Sequence, residues 1–414
     1  MLFHSWIFLI FFAIMYPVYL LTKDTRFRGV WLLTASYVFY GWWNPLYLLL
    51  IAYLTVVDYC VVLAMARWDR RKGLFLTLNL LNNFGLLAFF KYASFATQNI
   101  NALLGRIGIE YAIPMPDILL PVGISFFIFQ SMSYTIDFYR GHVEKEPSFI
   151  RYATYVSFFP QLVAGPIERS TNLLVQLRGP LPVTRRDVTD GMSLFVVGLF
   201  KKVALADYLS TYVDEVYLMP GSYDAPALML ATFAFAWQIY FDFSGYTDMA
   251  RGIARMLGVR LMLNFNNPYL ATGLGDFWQR WHISLSTWFR DYLYVPLGGN
   301  RYGQTRTYVN MFLTMVISGL WHGAKWTFVI WGVSHAIGRI VTRELERTPF
   351  YRDKVPRCVK QALVFVFVCF CWIFFRADSL TDAGIILKRI FTTGWTDPKC
   401  PLLMLGLVGS IWVY

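Results

Sequence analysis

The sequence predicts an all-α integral membrane protein, and three observations carry that prediction. Hydrophobic residues make up 57% of the 414 residues and charged residues only 15%, against about 25% charged in soluble domains. The apolar residues come in repeated runs of about 20, the length a helix needs to cross a roughly 30 Å hydrocarbon core. The basic residues fall in short loops between those runs, where cytoplasmic loops of membrane proteins collect them. That placement accounts for the net charge of +12 and argues against nucleic acid as a partner. A single domain embedded in the lipid bilayer is expected over residues 1–414.

In chain order, residues 2–21 form a first apolar span with no basic lead-in and no small-residue cleavage site, so it reads as a retained anchor. Lys23, Arg26 and Arg28 follow. A second span over 30–40 ends at Trp42, Trp43, Asn44 and Pro45, where paired tryptophans and a proline mark an interfacial turn. A third span over 46–66 runs into Arg67, Arg70, Arg71 and Lys72. This alternation puts the N-terminus outside and the loops near 25 and 70 in the cytoplasm. Residues 74–90 and 119–139 are the next two spans.

Residues 152–166 are too short to cross and carry F-F-P-Q-L-V-A-G-P. Proline and glycine at that density remove helix hydrogen bonds that lipid cannot replace, so this is a candidate re-entrant segment. Further apolar segments are 191–205, 228–243 and 361–375, with a basic loop over 343–360 before the last. Residues 311–321 and 326–340 are each shorter than a full span and meet at His322, and broken helices meeting at a polar residue are a common way to place a membrane-embedded site. The apolar run over 401–414 is too short to cross, which leaves two expectations, a piece of a longer chain or a fold without a final helix.

The polar chemistry concentrates between Asp276 and Trp326, which hold two of the five histidines, His282 and His322. From Asp276 to Leu293 the apolar Phe277, Trp281, Leu285, Trp288 and Tyr292 recur at helical spacing. Asp276, Arg280, Ser284, Thr287 and Asp291 form a polar stripe opposite, so one amphipathic helix with a charged seam is expected. His282 lies off that stripe, on the face of Trp278, Leu285 and Phe289. Gly319 and Gly323 in S-G-L-W-H-G place His322 beside a tight packing seam.

Each polar residue has two readings. His322 is either a core histidine bonded to Ser318 one turn back, or a general base kept neutral by burial. The C-terminal end of its helix pushes towards the cation instead. His282 is either packed among aromatics or a second polar group of the same site, and buried pairs cost desolvation unless partnered. Asp242 and Asp248 are either a proton relay or local partners of arginines such as Arg251. Arg280 and Asp276 fit an i, i+4 ion pair. Cys60, Cys358, Cys369, Cys371 and Cys400 lack zinc-ligand spacing and are expected as free thiols without a metal site. No G-x-x-x-x-G-K-[ST] loop and no G-x-S-x-G elbow occurs, which disfavours an ATP-driven pump and a serine hydrolase of that kind.

The motifs L-P-V-G-I-S-F-F (120–127), F-F-P-Q-L-V-A-G-P-I-E-R (158–169), F-D-F-S-G-Y-T-D-M-A (241–250) and N-F-N-N-P-Y (264–269) resemble the membrane-bound O-acyltransferase family. So do F-W-Q-R-W-H-I-S-L-S-T-W-F-R-D-Y-L-Y (277–294) and S-G-L-W-H-G (318–323), and the resemblance is greatest to the bacterial alginate O-acetyltransferase branch. It runs to about residue 390. It implies a ring of helices, some re-entrant or broken, around a central tunnel with funnels on both faces. It implies His322 as the essential histidine and His282 as the second polar residue, with Trp278, Arg280, Trp281, Ser318, Trp321 and Asp242 expected along the tunnel.

The expected reaction is transfer of an acyl group, acetyl first, from a cytoplasmic thioester towards an exported polysaccharide or a partner protein's hydroxyl. The donor expected is acyl-CoA such as acetyl-CoA, with no bound cofactor. Basic loops would attract its phosphates. The resemblance also implies a periplasmic esterase-like partner protein and a bacterial inner membrane location. The rival from another class is a proton-coupled transporter or flippase using Asp242, Asp248 and the histidines. A third reading is a scaffold for polymer export.

Overall fold

The computed structural model describes residues 1–395 and 401–410, and every regular element among them is helical. Four segments are by themselves long and apolar enough to cross a membrane: Leu46–Arg67, Asp69–Arg106, Ala225–Met256 and Arg357–Arg376. The helix over Trp6–Thr22 is apolar but shorter. By contacts the chain forms two compact units, Met1–Val197 with Tyr246–Met262, and Gly198–Gly245 with Leu263–Tyr414.

The first unit contains α1 (Trp6–Thr22), α2 (Arg28–Gly41), α3 (Leu46–Arg67), α4 (Lys72–Arg106), α5 (Ile124–Tyr139), α6 (Phe149–Ser157), α7 (Phe159–Leu162) and α8 (Val175–Arg178). It also takes most of α9 (Arg185–Phe200). A buried carboxylate organises it: Asp58 on α3 accepts from Asn79 at 2.5 Å and Asn83 at 2.8 Å on α4, and from Ser131 on α5. Three helices are thereby pinned by one polar group, which lipid-facing side chains could not do. The expected re-entrant stretch is two short helices, α6 and α7, broken at Phe158 beside Pro160. Helix α4 is 35 residues long and runs well past the expected 74–90 span.

The second unit holds α10 (Asp207–Leu218), most of α11 (Ala225–Met256), α12 (Leu274–Arg280), α13 (Ile283–Phe289), α14 (Gly303–His322), α15 (Trp326–Arg347), α16 (Arg357–Arg376), α17 (Leu380–Thr392) and α18 (Leu402–Ser410). Its core is aromatic, with Trp237, Tyr269, Phe277, Trp281, Trp331, Phe365 and Trp372 all buried. The N-terminus of α17 is capped by Ser379, whose hydroxyl accepts from the Asp382 N–H at 3.1 Å. Cys369 and Cys371 are free and buried and Cys60 and Cys358 free and exposed, while Cys400 lies outside the described residues.

Two expectations are corrected here. The stretch 276–293 is not one amphipathic helix but α12 and α13, separated at Trp281 and His282, followed by a wider π turn over Arg290–Tyr294. The segments meeting at His322 are longer than expected, α14 having 20 residues and α15 having 22. At about 1.5 Å per residue both are about 30 Å long. Polar residues such as Thr307 and Asn310 hid the start of α14 from a hydropathy reading, although both are buried and hydrogen-bonded.

Candidate active site

The break between α12 and α13 is built by the segment 264–266. The Asn266 N–H donates to the Arg280 carbonyl at 2.9 Å, closing the end of α12. The Ile283 N–H donates to the Asn264 carbonyl at 2.9 Å, and the Ser284 N–H to Asn264 Oδ1 at 3.1 Å. The first two free N–H groups of α13 are therefore satisfied by one asparagine from outside the helix. Between the two helix ends His282 takes a left-handed backbone, φ 44°, one of two non-glycine residues with positive φ among those described. That conformation is uncommon for a residue with a Cβ and turns the imidazole out of the helical path.

The His282 ring is 1% exposed. It lies edge-on to Phe243 at 4.7 Å and to Trp321 at 6.2 Å between centroids. Its Nδ1 is 3.3 Å from Asn264 Oδ1. The Ser284 N–H fixes that amide with its oxygen towards the histidine, and an amide oxygen only accepts, so Nδ1 carries the proton and Nε2 is the basic nitrogen. Burial pushes the His282 pKa down from the ordinary 6.5 to about 3, so the ring is neutral.

His322 is the last residue of α14 and is half-buried. It packs edge-on against Trp321 and Trp331, each at 5.0 Å, and Phe375 at 5.2 Å. Its position is set by the close approach of α14 and α15. A Cβ on Gly332 would lie 2.6 Å from the Met315 carbonyl oxygen, and one on Gly319 would collide with the Phe328 carbonyl. The seam expected from Gly319 is present, with Gly332 as its partner; Gly323 instead faces the Phe328 ring.

The other expected residues divide. Trp321 touches both histidines, and Ser318 is buried one turn before His322. Trp281 stacks on Phe277 at 5.7 Å within the aromatic core. Trp278 does not share a face with His282, because the chain turns between them; it packs on Trp331 and His335 at 5.8 and 5.1 Å. Arg280 pairs with Asp276 at 2.6 Å and donates to the Asn266 carbonyl at 3.3 Å, which makes it a brace of the break. Asp242 is half exposed and held by Lys202 at 2.7 Å, and Asp248 pairs with Arg251 at 3.5 Å. Both carboxylates have the local cationic partners that were the alternative to a relay.

Reasoning from sequence missed Asn264, His335 and Trp331. Asn264 had a signal, the N-F-N-N-P-Y motif, but nothing in its spacing told that it would cap a helix 19 residues on. In front of Trp278 lies a cavity of about 530 Å³ lined by Ser286, Thr287, Arg290, Met311, Arg339 and Arg343 among others. The polar stripe expected on one helix is thus split, with Ser284 bonded to Asn264 and Thr287 facing this cavity.

Two imidazoles beside one indole, His282 neutral and both walled by aromatics, form an arrangement suited to moving a proton to and from a hydroxyl. Residues 32–380 match the model of the membrane-bound O-acyltransferase family. The chain belongs to that family. It is 40% identical to a probable alginate O-acetylase of Azotobacter vinelandii, over 96% of this chain and 79% of that protein. Against a probable alginate O-acetylase of Pseudomonas aeruginosa it is 39% identical, over 95% and 75% of the two chains. A peptidoglycan O-acetyltransferase of Helicobacter pylori is 36% identical, over 88% and 74%. The chain is therefore a multi-pass membrane O-acyltransferase.

Proposed function

We propose that this acyltransferase moves an acetyl group from a cytoplasmic thioester, acetyl-CoA being the first donor to test, towards hydroxyls of an exported polysaccharide such as alginate. His322 is the general base: it takes the proton of the attacking hydroxyl as the oxygen bonds to the acyl carbon. The carbon–sulfur bond then breaks, and the leaving thiolate receives that proton. His282, with Nδ1 protonated towards Asn264, turns Nε2 to the site and orients or relays beside His322. The observation that carries this reading is the shared indole, Trp321, whose ring lies 6.2 Å from that of His282 and 5.0 Å from that of His322.

The relatives support the acyl group and the polymer, since the first of them act, by name, in alginate O-acetylation. The protein works from the bacterial inner membrane with an esterase-like periplasmic partner that completes transfer to the polymer. The test is His322→Ala in a cell whose polymer acetylation is measured. Acetylation is expected to be lost at wild-type protein level; full acetylation by the variant would remove His322 as the base.

A further inference from the structure

His335 is 0% exposed, and neither ring nitrogen has a hydrogen-bond partner among the described residues. It is not alone. The indole N–H groups of Trp278 and Trp331 are also buried without a partner, and so is Nη1 of Arg339, one turn further along α15. The three rings form a cluster, Trp278 and Trp331 lying 5.1 and 4.8 Å from His335. Buried polar groups are almost always satisfied, so a group of them left over together marks a place where something polar binds.

The set of atoms says what kind of group that is. Two indoles and a guanidinium only donate, and a neutral imidazole donates once and accepts once. The complement is an oxygen acceptor. The location says which one. Trp278 and Arg339 also line the cavity of about 530 Å³, whose wall carries Arg290, Arg339 and Arg343. At the far side Trp331 touches His322 at 5.0 Å. The unpaired donors therefore run from an arginine-lined cavity to the ring next to the proposed base.

We propose that His335, with the indole N–H groups of Trp278 and Trp331, binds the acyl carbonyl oxygen of the thioester donor, whose phosphates lie at the arginines of the cavity. The inference rests on the transfer reaction described above and adds the recognition of its donor. As the hydroxyl oxygen bonds to the acyl carbon, negative charge gathers on that carbonyl oxygen, and fixed N–H donors hold it until the carbon–sulfur bond breaks.

The experiment compares His335→Gln, which keeps hydrogen bonding, with His335→Phe, which keeps only the aromatic packing. Transfer from labelled acetyl-CoA to the polymer is measured in membranes containing equal amounts of protein. His335→Gln is expected to stay within about threefold of wild type and His335→Phe to lose tenfold or more in turnover at saturating acetyl-CoA, as for removal of one such donor. Wild-type transfer by His335→Phe overturns the proposal, as does a lower melting temperature with unchanged turnover, which would mean bound water only. If neither His335 variant reaches the membrane, Trp278→Phe decides, with at least tenfold loss expected and unchanged turnover overturning the proposal. His322→Ala in the same membranes separates the two ideas: an active His322→Ala refutes the reaction itself, whereas inactive His322→Ala beside active His335→Phe refutes only this site.

Discussion

Asn264 supplies both faces of its backbone and side chain to His282: its carbonyl and Oδ1 take the first two N–H groups of α13, and Oδ1 lies 3.3 Å from the His282 Nδ1. One residue thus fixes where the helix starts and which imidazole nitrogen is basic. Asn264→Ala leaves the buried Ser284 N–H and hydroxyl without their acceptor, which costs about 1–3 kcal/mol. Thermal unfolding of purified protein should show a lower midpoint, and acetylation should fall more than protein level does, because the tautomer is no longer fixed. Asn264→Asp keeps the acceptor and is expected to retain the cap.

The left-handed backbone at His282 separates the roles of its main chain and its ring. At φ 44° a residue with a Cβ is strained by about 1–2 kcal/mol, which glycine avoids. His282→Gly should therefore unfold at a higher temperature than His282→Ala, while both lose transfer. Asparagine tolerates this conformation, so His282→Asn should be the best folded of the polar replacements. Equal melting temperatures for the glycine and alanine variants would argue against a strained turn.

Burial of His282 predicts an acid limit. Its pKa is about 3 in the folded protein against an ordinary 6.5, so between those values the unfolded chain binds a proton that the folded chain does not. Stability then rises with pH in that window and is lost progressively as the pH falls below about 6.5. Melting midpoints measured from pH 7.5 to 5 should decline, and the decline should be shallower in His282→Asn, which has no proton to gain.

How much of this was readable in advance depends on which forces set each element. Apolar run length marked α1, α2, α3 and α16 closely, since those helices are defined by what faces lipid or core. It fell short at α4, where the apolar run ends near residue 90 but the helix continues to Arg106, and nothing in it told that Asn79 and Asn83 would bond Asp58. It failed again at His282, because apolar spacing runs unbroken through 277–292 and the break is imposed by hydrogen bonds from a segment 18 residues earlier in the chain. The two histidines were singled out from composition and motif, whereas His335 was not, since a histidine on the apolar face of a helix carries no sign of its empty hydrogen bonds until its neighbours are known.

The α14 and α15 seam makes the last prediction. His322 ends α14, and the backbone contacts at Gly319 and Gly332 set how closely that end approaches Trp331 on α15. Both glycines have ordinary helical backbone, so alanine would not strain the chain; it acts through its added methyl group and its helix propensity. At Gly332 that methyl would sit 2.6 Å from the Met315 carbonyl and force the helices apart. Overpacking of this kind costs about 1–3 kcal/mol, partly offset by the better helix propensity of alanine, worth about 1 kcal/mol. Gly332→Ala should therefore fold with only modest destabilisation yet displace His322, so that turnover falls much more than the melting midpoint. Gly384→Ala on α17, where a Cβ meets nothing within 4 Å, is the control and should keep both. A Gly332→Ala protein with full turnover would show that the separation of these helices does not set the position of the base.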